Sequence, residues 1–154
     1  MKIKVILFTL AVFFVSAVVC SAQNPNIGTW KLNEAKSKFG PGAPKNNTVV
    51  VEATGDMLKV TVDGTDGSGN PAHNEWTGNF DGKYYAVTGN PTSDMRSYRM
   101  INSRSLALAE KKGGKVGVTG RITVSRNGKS RTVITTSKNA SGKWIHNTAV
   151  YDKQ

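Results

Sequence analysis

Apolar and polar residues alternate one by one along most of this chain, and short groups of turn-forming residues separate the alternating segments. Residues 57–63 are typical, because Leu58, Val60 and Val62 would share one face of an extended strand. Alternation with a period of two residues indicates a half-buried β-strand, and no long segment after residue 22 has helical periodicity. The sequence therefore predicts an all-β protein.

The turn residues divide the chain into about ten predicted strands. These strands cover residues 27–32, 48–53, 57–63, 73–80, 83–88, 95–101, 105–110, 116–126, 129–137 and 143–151. The connections are short, so consecutive strands should be antiparallel neighbours in a meander. Closure removes the free edges of such a sheet, and we expect an up-and-down barrel of about 8–10 strands. A two-sheet sandwich is the alternative.

The apolar face of each strand should point into the barrel, because successive side chains of a strand point to opposite faces. In the strand over residues 116–126, this alternation predicts that Val116, Val118, Ile122 and Val124 face inward together.

The N-terminal segment differs from the rest of the chain. Lys2 and Lys4 precede an apolar run over residues 5–19, and small residues follow as far as Ala22. This order is typical of a secretory signal peptide, and the run is shorter than the roughly 20 apolar residues that span a membrane. We therefore expect a signal peptide over residues 1–22 with cleavage after Ala22.

Removal of residues 1–22 from the 154-residue chain leaves 132 residues, which we expect to form a single domain over residues 23–154. That domain would act in the periplasm or outside the cell. Cys20 is the only cysteine and would leave with the signal, so the mature domain has no disulfide and no cysteine metal ligand. The alternative is a lipoprotein cleaved before Cys20, although Val19 is a poor fit at the preceding position.

The chain is strongly basic. Its net charge of +11 includes Lys2 and Lys4, so the mature domain carries about +9. A charge of this size attracts anionic surfaces, such as lipid headgroups, lipopolysaccharide or acidic glycans. The lysines and arginines are spread along the chain without a dense block, which favours a role in solubility and gives no indication of specific nucleic-acid binding.

The two ends of the mature chain resemble the calycin group of β-barrels. Residues 28–32 read Gly-Thr-Trp-Lys-Leu, similar to the first strand of lipocalins and fatty-acid-binding proteins. Residues 150–153 read Val-Tyr-Asp-Lys, similar to the last strand of fatty-acid-binding proteins. The resemblance implies a calycin-like barrel with structural roles for Gly28 and Trp30. The large indole can plug one end of the barrel, and the glycine lets the neighbouring chain approach.

The chain also resembles a set of small exported bacterial proteins of unassigned function. The shared stretches are residues 28–33, 35–39 and 149–154, so this likeness covers nearly the whole mature chain. It implies export but no activity. Fatty-acid-binding proteins hold the lipid carboxylate with an Arg-x-Tyr motif on the last strand, where this chain has Ala149 and Tyr151. Only the tyrosine of that motif carries over.

Aromatic and arginine side chains are the candidate ligand contacts inside a barrel, because arginine can bind a carboxylate or phosphate in a bidentate manner. Arg131 shares a predicted face with Val133 and should point inward, whereas Arg121 should point outward. The predicted ligand-binding residues are Trp76, Tyr85, Tyr98, Arg131 and Tyr151. Arg96 and Arg99 are further candidates. The alternative role is packing, because interior aromatic residues more often fill a core than contact a ligand.

No catalytic or metal-binding pattern is present. His73 and His146 are the only histidines, and a zinc site needs more ligands around them. No Gly-x-Ser-x-Gly motif is available for a serine nucleophile. We therefore expect no enzyme activity, no metal and no cofactor. The predicted function is that of an exported, monomeric, lipocalin-like barrel that binds a small apolar or amphipathic ligand. The alternative is a basic protein that binds an anionic envelope polymer or lipid headgroups.

Overall fold

The computed structural model describes residues 24–138 and 141–154, and these residues form a closed antiparallel barrel. The strands are β1 (Gly28–Leu32), β2 (Lys45–Thr54), β3 (Met57–Thr65), β4 (Pro71–Gly78), β5 (Asp81–Thr88), β6 (Met95–Asn102), β7 (Ser105–Lys112), β8 (Lys115–Val124), β9 (Ser130–Lys138) and β10 (Trp144–Lys153). The predicted all-β meander and its closure are confirmed. The predicted signal peptide, residues 1–22, lies outside the described residues.

The short strand β1 closes the barrel, because it pairs with β2 on one side and β10 on the other. Trp30 lies opposite Val49 on β2 and Lys153 on β10. The chain between β1 and β2 contains one turn of 3-10 helix over Glu34–Lys36. The part of the chain that the structure describes contains no helix that is both long and apolar enough to cross a membrane.

One end of the barrel is filled by large side chains that alternate inward from the strands. This packed end consists of Trp30, Val51, Val60, Trp76, Leu106 and Val124, each at most 2% exposed. The Trp30 indole N–H donates to the Asn26 carbonyl oxygen at 2.9 Å, so the polar atom of this buried ring is satisfied.

Gly28 has a φ of +130°, and a Cβ at this position would lie 2.6 Å from Cε of Lys153. The positive φ would strain any other residue, whereas the atom that a Cβ would meet is the flexible end of the Lys153 side chain, so the backbone conformation is what requires glycine here.

Aromatic rings cover the seam between β4 and β5, whose ladder has only two paired positions. Trp76 packs edge-on against Tyr85, with 5.7 Å between the ring centroids, and stacks on Phe80 at 6.2 Å. A Cβ on Gly78 would lie 2.5 Å from Cγ of Tyr85, so glycine lets this ring lie against β4.

The predicted inward direction of Val116 is wrong. The ladder between β7 and β8 shifts by one residue between Glu110 and Lys111, which leaves Gly117 as the extra residue of a β-bulge. The bulge reverses the alternation, so Val116 lies opposite Lys111 on the outer face and is 51% exposed. Val118, Ile122 and Val124 follow the bulge and point inward as predicted.

Candidate functional site

A cavity of about 420 Å³ lies inside the barrel beyond the packed end. Next to the packed end its wall is formed by Tyr98, Ile122, Arg131 and Tyr151. The cavity extends from there to the loops at the opposite end, including residues 65–67 and 89–92. Its volume lies within the range of about 300–1,000 Å³ that is typical of small-molecule sites.

The inward-facing side chains of β9 and β10 form one side of this wall, and their polarity changes along the strands. Arg131 and Tyr151 are directly paired across the two strands, and Val133 and Ala149 form the next inward pair. Thr135, Ser137 and Asn147 continue the wall towards the loops. The cavity therefore has an apolar middle with polar groups at both ends.

Two buried charges in the wall neutralise each other. Nε of Arg96 donates to Oε1 of Glu110 at 2.6 Å, and the two side chains are 6% and 13% exposed. Nη2 of Arg96 also donates to Oδ1 of Asn74 at 3.2 Å. Burial opposes the charge of Arg96, but Tyr98 and Glu110 favour it, and the pKa of the guanidinium lies above its usual value. The charge and the hydrogen bonds of Arg96 are therefore already paired within the barrel wall.

Arg131 is buried without such a partner. It is 5% exposed, and its Nε and Nη1 atoms make no hydrogen bond in the described structure. The ion pairs found in residues 24–138 and 141–154 do not include it. Burial lowers the pKa of this guanidinium, but an arginine remains protonated in proteins. The wall therefore holds a buried cation with unused hydrogen-bond donors.

The aromatic rings around Arg131 stabilise its buried charge only weakly. Its guanidinium carbon lies 5.9 Å from the ring centroid of Trp30 and 6.0 Å from that of Tyr151, at the outer limit of a cation–π contact. Tyr151 is 3% exposed, and burial raises its pKa to about 12. Its hydroxyl is therefore protonated at neutral pH and is available as a hydrogen-bond donor beside the arginine.

The structure brings together three of the predicted ligand-binding residues, since Tyr98, Arg131 and Tyr151 line the cavity. Trp76 and Tyr85 do not line the cavity but belong to the aromatic cluster of the β4–β5 seam, where Trp76 packs edge-on against Tyr98 with 4.8 Å between the ring centroids. Nε1 of Trp76 donates to the Arg96 carbonyl oxygen at 3.0 Å, and the Tyr85 hydroxyl donates to Asp81 at 2.9 Å. The polar atoms of both side chains are therefore already hydrogen-bonded within the barrel.

The other candidate arginines differ in orientation. Arg99 and Arg121 are exposed, whereas Arg96 is buried in its pair with Glu110. The sequence prediction did not include Glu110. The alternation of the sequence could have revealed it, because Glu110 falls on the same face of β7 as the inward residues Leu106 and Leu108.

The histidines lie on exposed surfaces. Nδ1 of His73 is 2.6 Å from a carboxylate oxygen of Asp63, and Nδ1 of His146 is 3.0 Å from the Thr136 hydroxyl. Across the two described ranges, no three His, Cys, Asp or Glu side chains are grouped so that they could hold a metal ion.

Comparison with known proteins assigns the chain to no family. No protein-family model matches it, and no curated protein matches it. Its own residues form a closed ten-stranded barrel with an internal cavity, and a buried cation in the cavity wall is unpaired among the described residues.

Proposed function

We propose that this protein is an exported, calycin-like carrier that binds a small amphipathic molecule inside its barrel. The observation that supports the proposal is the internal cavity of about 420 Å³. Its apolar middle includes Val49, Val62 and Leu108, which suit a hydrocarbon or aromatic body. The charged and apolar sequence of residues 1–22 supports export. The Gly-x-Trp strand that closes the meander supports the calycin relationship.

Filling the cavity should abolish binding of an apolar probe. Ala149 lies in the apolar middle of the wall and is 7% exposed, so Ala149→Trp would place an indole in the space that the ligand uses. We expect the neutral dye N-phenyl-1-naphthylamine to bind the wild type, and to bind the variant at least roughly tenfold more weakly. Fluorescence titration of the dye measures both dissociation constants.

Thr123→Trp is the matched control, because Thr123 is exposed on the outer face of β8. It should leave dye binding unchanged, and thermal unfolding should show that both variants are folded. Equal affinity of the wild type and Ala149→Trp, or a wild type that binds neither this dye nor its sulfonated analogue 1-anilinonaphthalene-8-sulfonate, would contradict a carrier role for the cavity.

A second candidate function is attachment to an anionic lipid surface. An exposed patch beside the turns that join β7 to β8 and β9 to β10 favours it. Trp144 is 59% exposed and Val116 is 51% exposed, and Nζ of Lys138 lies 4.8 Å from the Trp144 ring centroid. An amphipathic indole with basic neighbours suits the interface between lipid headgroups and water.

Loss of the exposed indole should weaken this attachment. We expect the protein to co-sediment with phosphatidylglycerol vesicles more strongly than with phosphatidylcholine vesicles, and less strongly as salt increases. Trp144→Ala should reduce sedimentation several-fold. Met57→Ala, an exposed apolar change at the turn between β2 and β3, should not. Equal sedimentation with both lipids, or no effect of Trp144→Ala, would argue against this second function.

A further inference from the structure

The buried guanidinium of Arg131 points to the chemical class of the ligand. We infer that the cavity takes an amphipathic anion whose acidic group lies against Arg131, and this inference rests on the carrier function proposed above. The acidic group is a carboxylate, sulfonate or phosphate, and the apolar body extends from it towards the loops at residues 65–67 and 89–92.

The charges on the cavity wall favour an anion at this position. The wall contains Arg96, Arg131, Glu110 and Asp66. Glu110 is bound to Arg96 at 2.6 Å. Asp66 lies in the loop at the far end, where one carboxylate oxygen accepts backbone N–H groups of Ser68 and Asn70 at 2.8 and 2.9 Å. The part of the cavity next to the packed end therefore has an uncompensated positive charge.

The donors beside Arg131 match an oxyanion. Nε and Nη1 of Arg131 have no partner in the described structure, and the planar guanidinium binds carboxylates and phosphates through parallel hydrogen bonds. The Tyr151 hydroxyl, a hydrogen-bond donor at neutral pH, lies on the directly paired residue of β10. An acidic group at this point would accept hydrogen bonds from both side chains and would supply the missing counter-charge.

The wall beyond Arg131 suits an apolar body. The next inward residue of β9 after Arg131 is Val133. It is paired with Ala149 on β10 and with Ile122 on β8. These side chains offer no charge and no strong hydrogen-bond donor. A molecule with an acidic end and an apolar body next to it therefore fits the order of groups beside Arg131.

Two dyes that share an aromatic skeleton test the inference. 1-Anilinonaphthalene-8-sulfonate carries a sulfonate, and N-phenyl-1-naphthylamine does not. We expect the wild type to bind the sulfonated dye roughly tenfold or more tightly than the neutral dye, because hydrogen bonds to a charged group are strong. Arg131→Met should remove this preference, so that the variant binds the two dyes with similar affinity. Arg121→Met removes a charge from the exposed face of β8 and should preserve the preference.

The outcomes separate the inference from the carrier function. If the wild type binds both dyes equally, or if Arg131→Met keeps the preference for the sulfonate, the anionic ligand is refuted although the carrier function stands. If the wild type binds neither dye, the carrier function fails as well. Equal binding of the two dyes by the wild type refutes the inference without any variant, so the inference stays falsifiable even if Arg131→Met does not fold. Loss of sulfonate binding in Ala149→Trp would place the dye in the cavity.

Discussion

Replacement of Glu110 by Gln is expected to lower the free energy of unfolding by about 3–5 kcal/mol, because it leaves a buried guanidinium without its counter-charge. The carboxylate of Glu110 lies 2.6 Å from Nε of Arg96, and both side chains are nearly excluded from water. The uncharged amide keeps the shape of the side chain but cannot neutralise the arginine. Urea unfolding at neutral pH, followed by tryptophan fluorescence, measures the difference.

Two further variants control for this result. Glu52→Gln removes a carboxylate from an exposed position of β2 and should change the stability by less than about 0.5 kcal/mol. The double variant Arg96→Met with Glu110→Leu removes both charges and should recover much of the loss, since apolar pairs can replace buried ion pairs. If Glu110→Gln is as stable as the wild type, the pair does not contribute to the barrel as described.

Replacement of Trp30 by Ala is expected to cost about 3–5 kcal/mol, the range found when a large buried aromatic side chain is truncated. Trp30 is fully buried, and its N–H donates to the Asn26 carbonyl oxygen at 2.9 Å. The change would open a void in the packed end, directly beneath Arg131. Thermal or urea unfolding measures the loss.

Trp144→Ala is the matched control for Trp30→Ala, because Trp144 is 59% exposed. It should change the stability by less than about 0.5 kcal/mol. Trp30→Phe should lie between the two, since it keeps most of the ring volume and leaves the Asn26 carbonyl without its donor. Equal losses for Trp30→Ala and Trp144→Ala would contradict the structural role of the first-strand tryptophan.

The fold could be predicted from local features of the sequence. Alternation with a period of two and the turn residues between segments predicted the ten strands, and the short connections predicted a closed meander. The error at Val116 arose because a single extra residue, Gly117, reverses the alternation at the start of a predicted strand. A bulge depends on the pairing of two strands, and the pattern of one strand does not reveal it.

The site could be predicted only in part, because alternation gives the direction of a side chain but not its height along the barrel. Trp76 and Tyr98 both point inward, yet Trp76 lies in the packed end and Tyr98 lines the cavity. Height depends on strand register and tilt, which follow from long-range pairing. The phase of Arg131 predicted that it faces inward. The sequence does not show which arginine lacks a partner, because the strand register is what pairs Arg96 with Glu110.

A crystal structure of the complex with 1-anilinonaphthalene-8-sulfonate tests the central claim most directly. We predict that the dye lies inside the barrel, with sulfonate oxygens about 2.7–2.9 Å from Nε and Nη1 of Arg131 and the rings towards the loops. The opposite orientation, with the sulfonate at the loops, would contradict the assignment of Arg131. A dye bound only on the outer face beside Trp144 would contradict the carrier function itself.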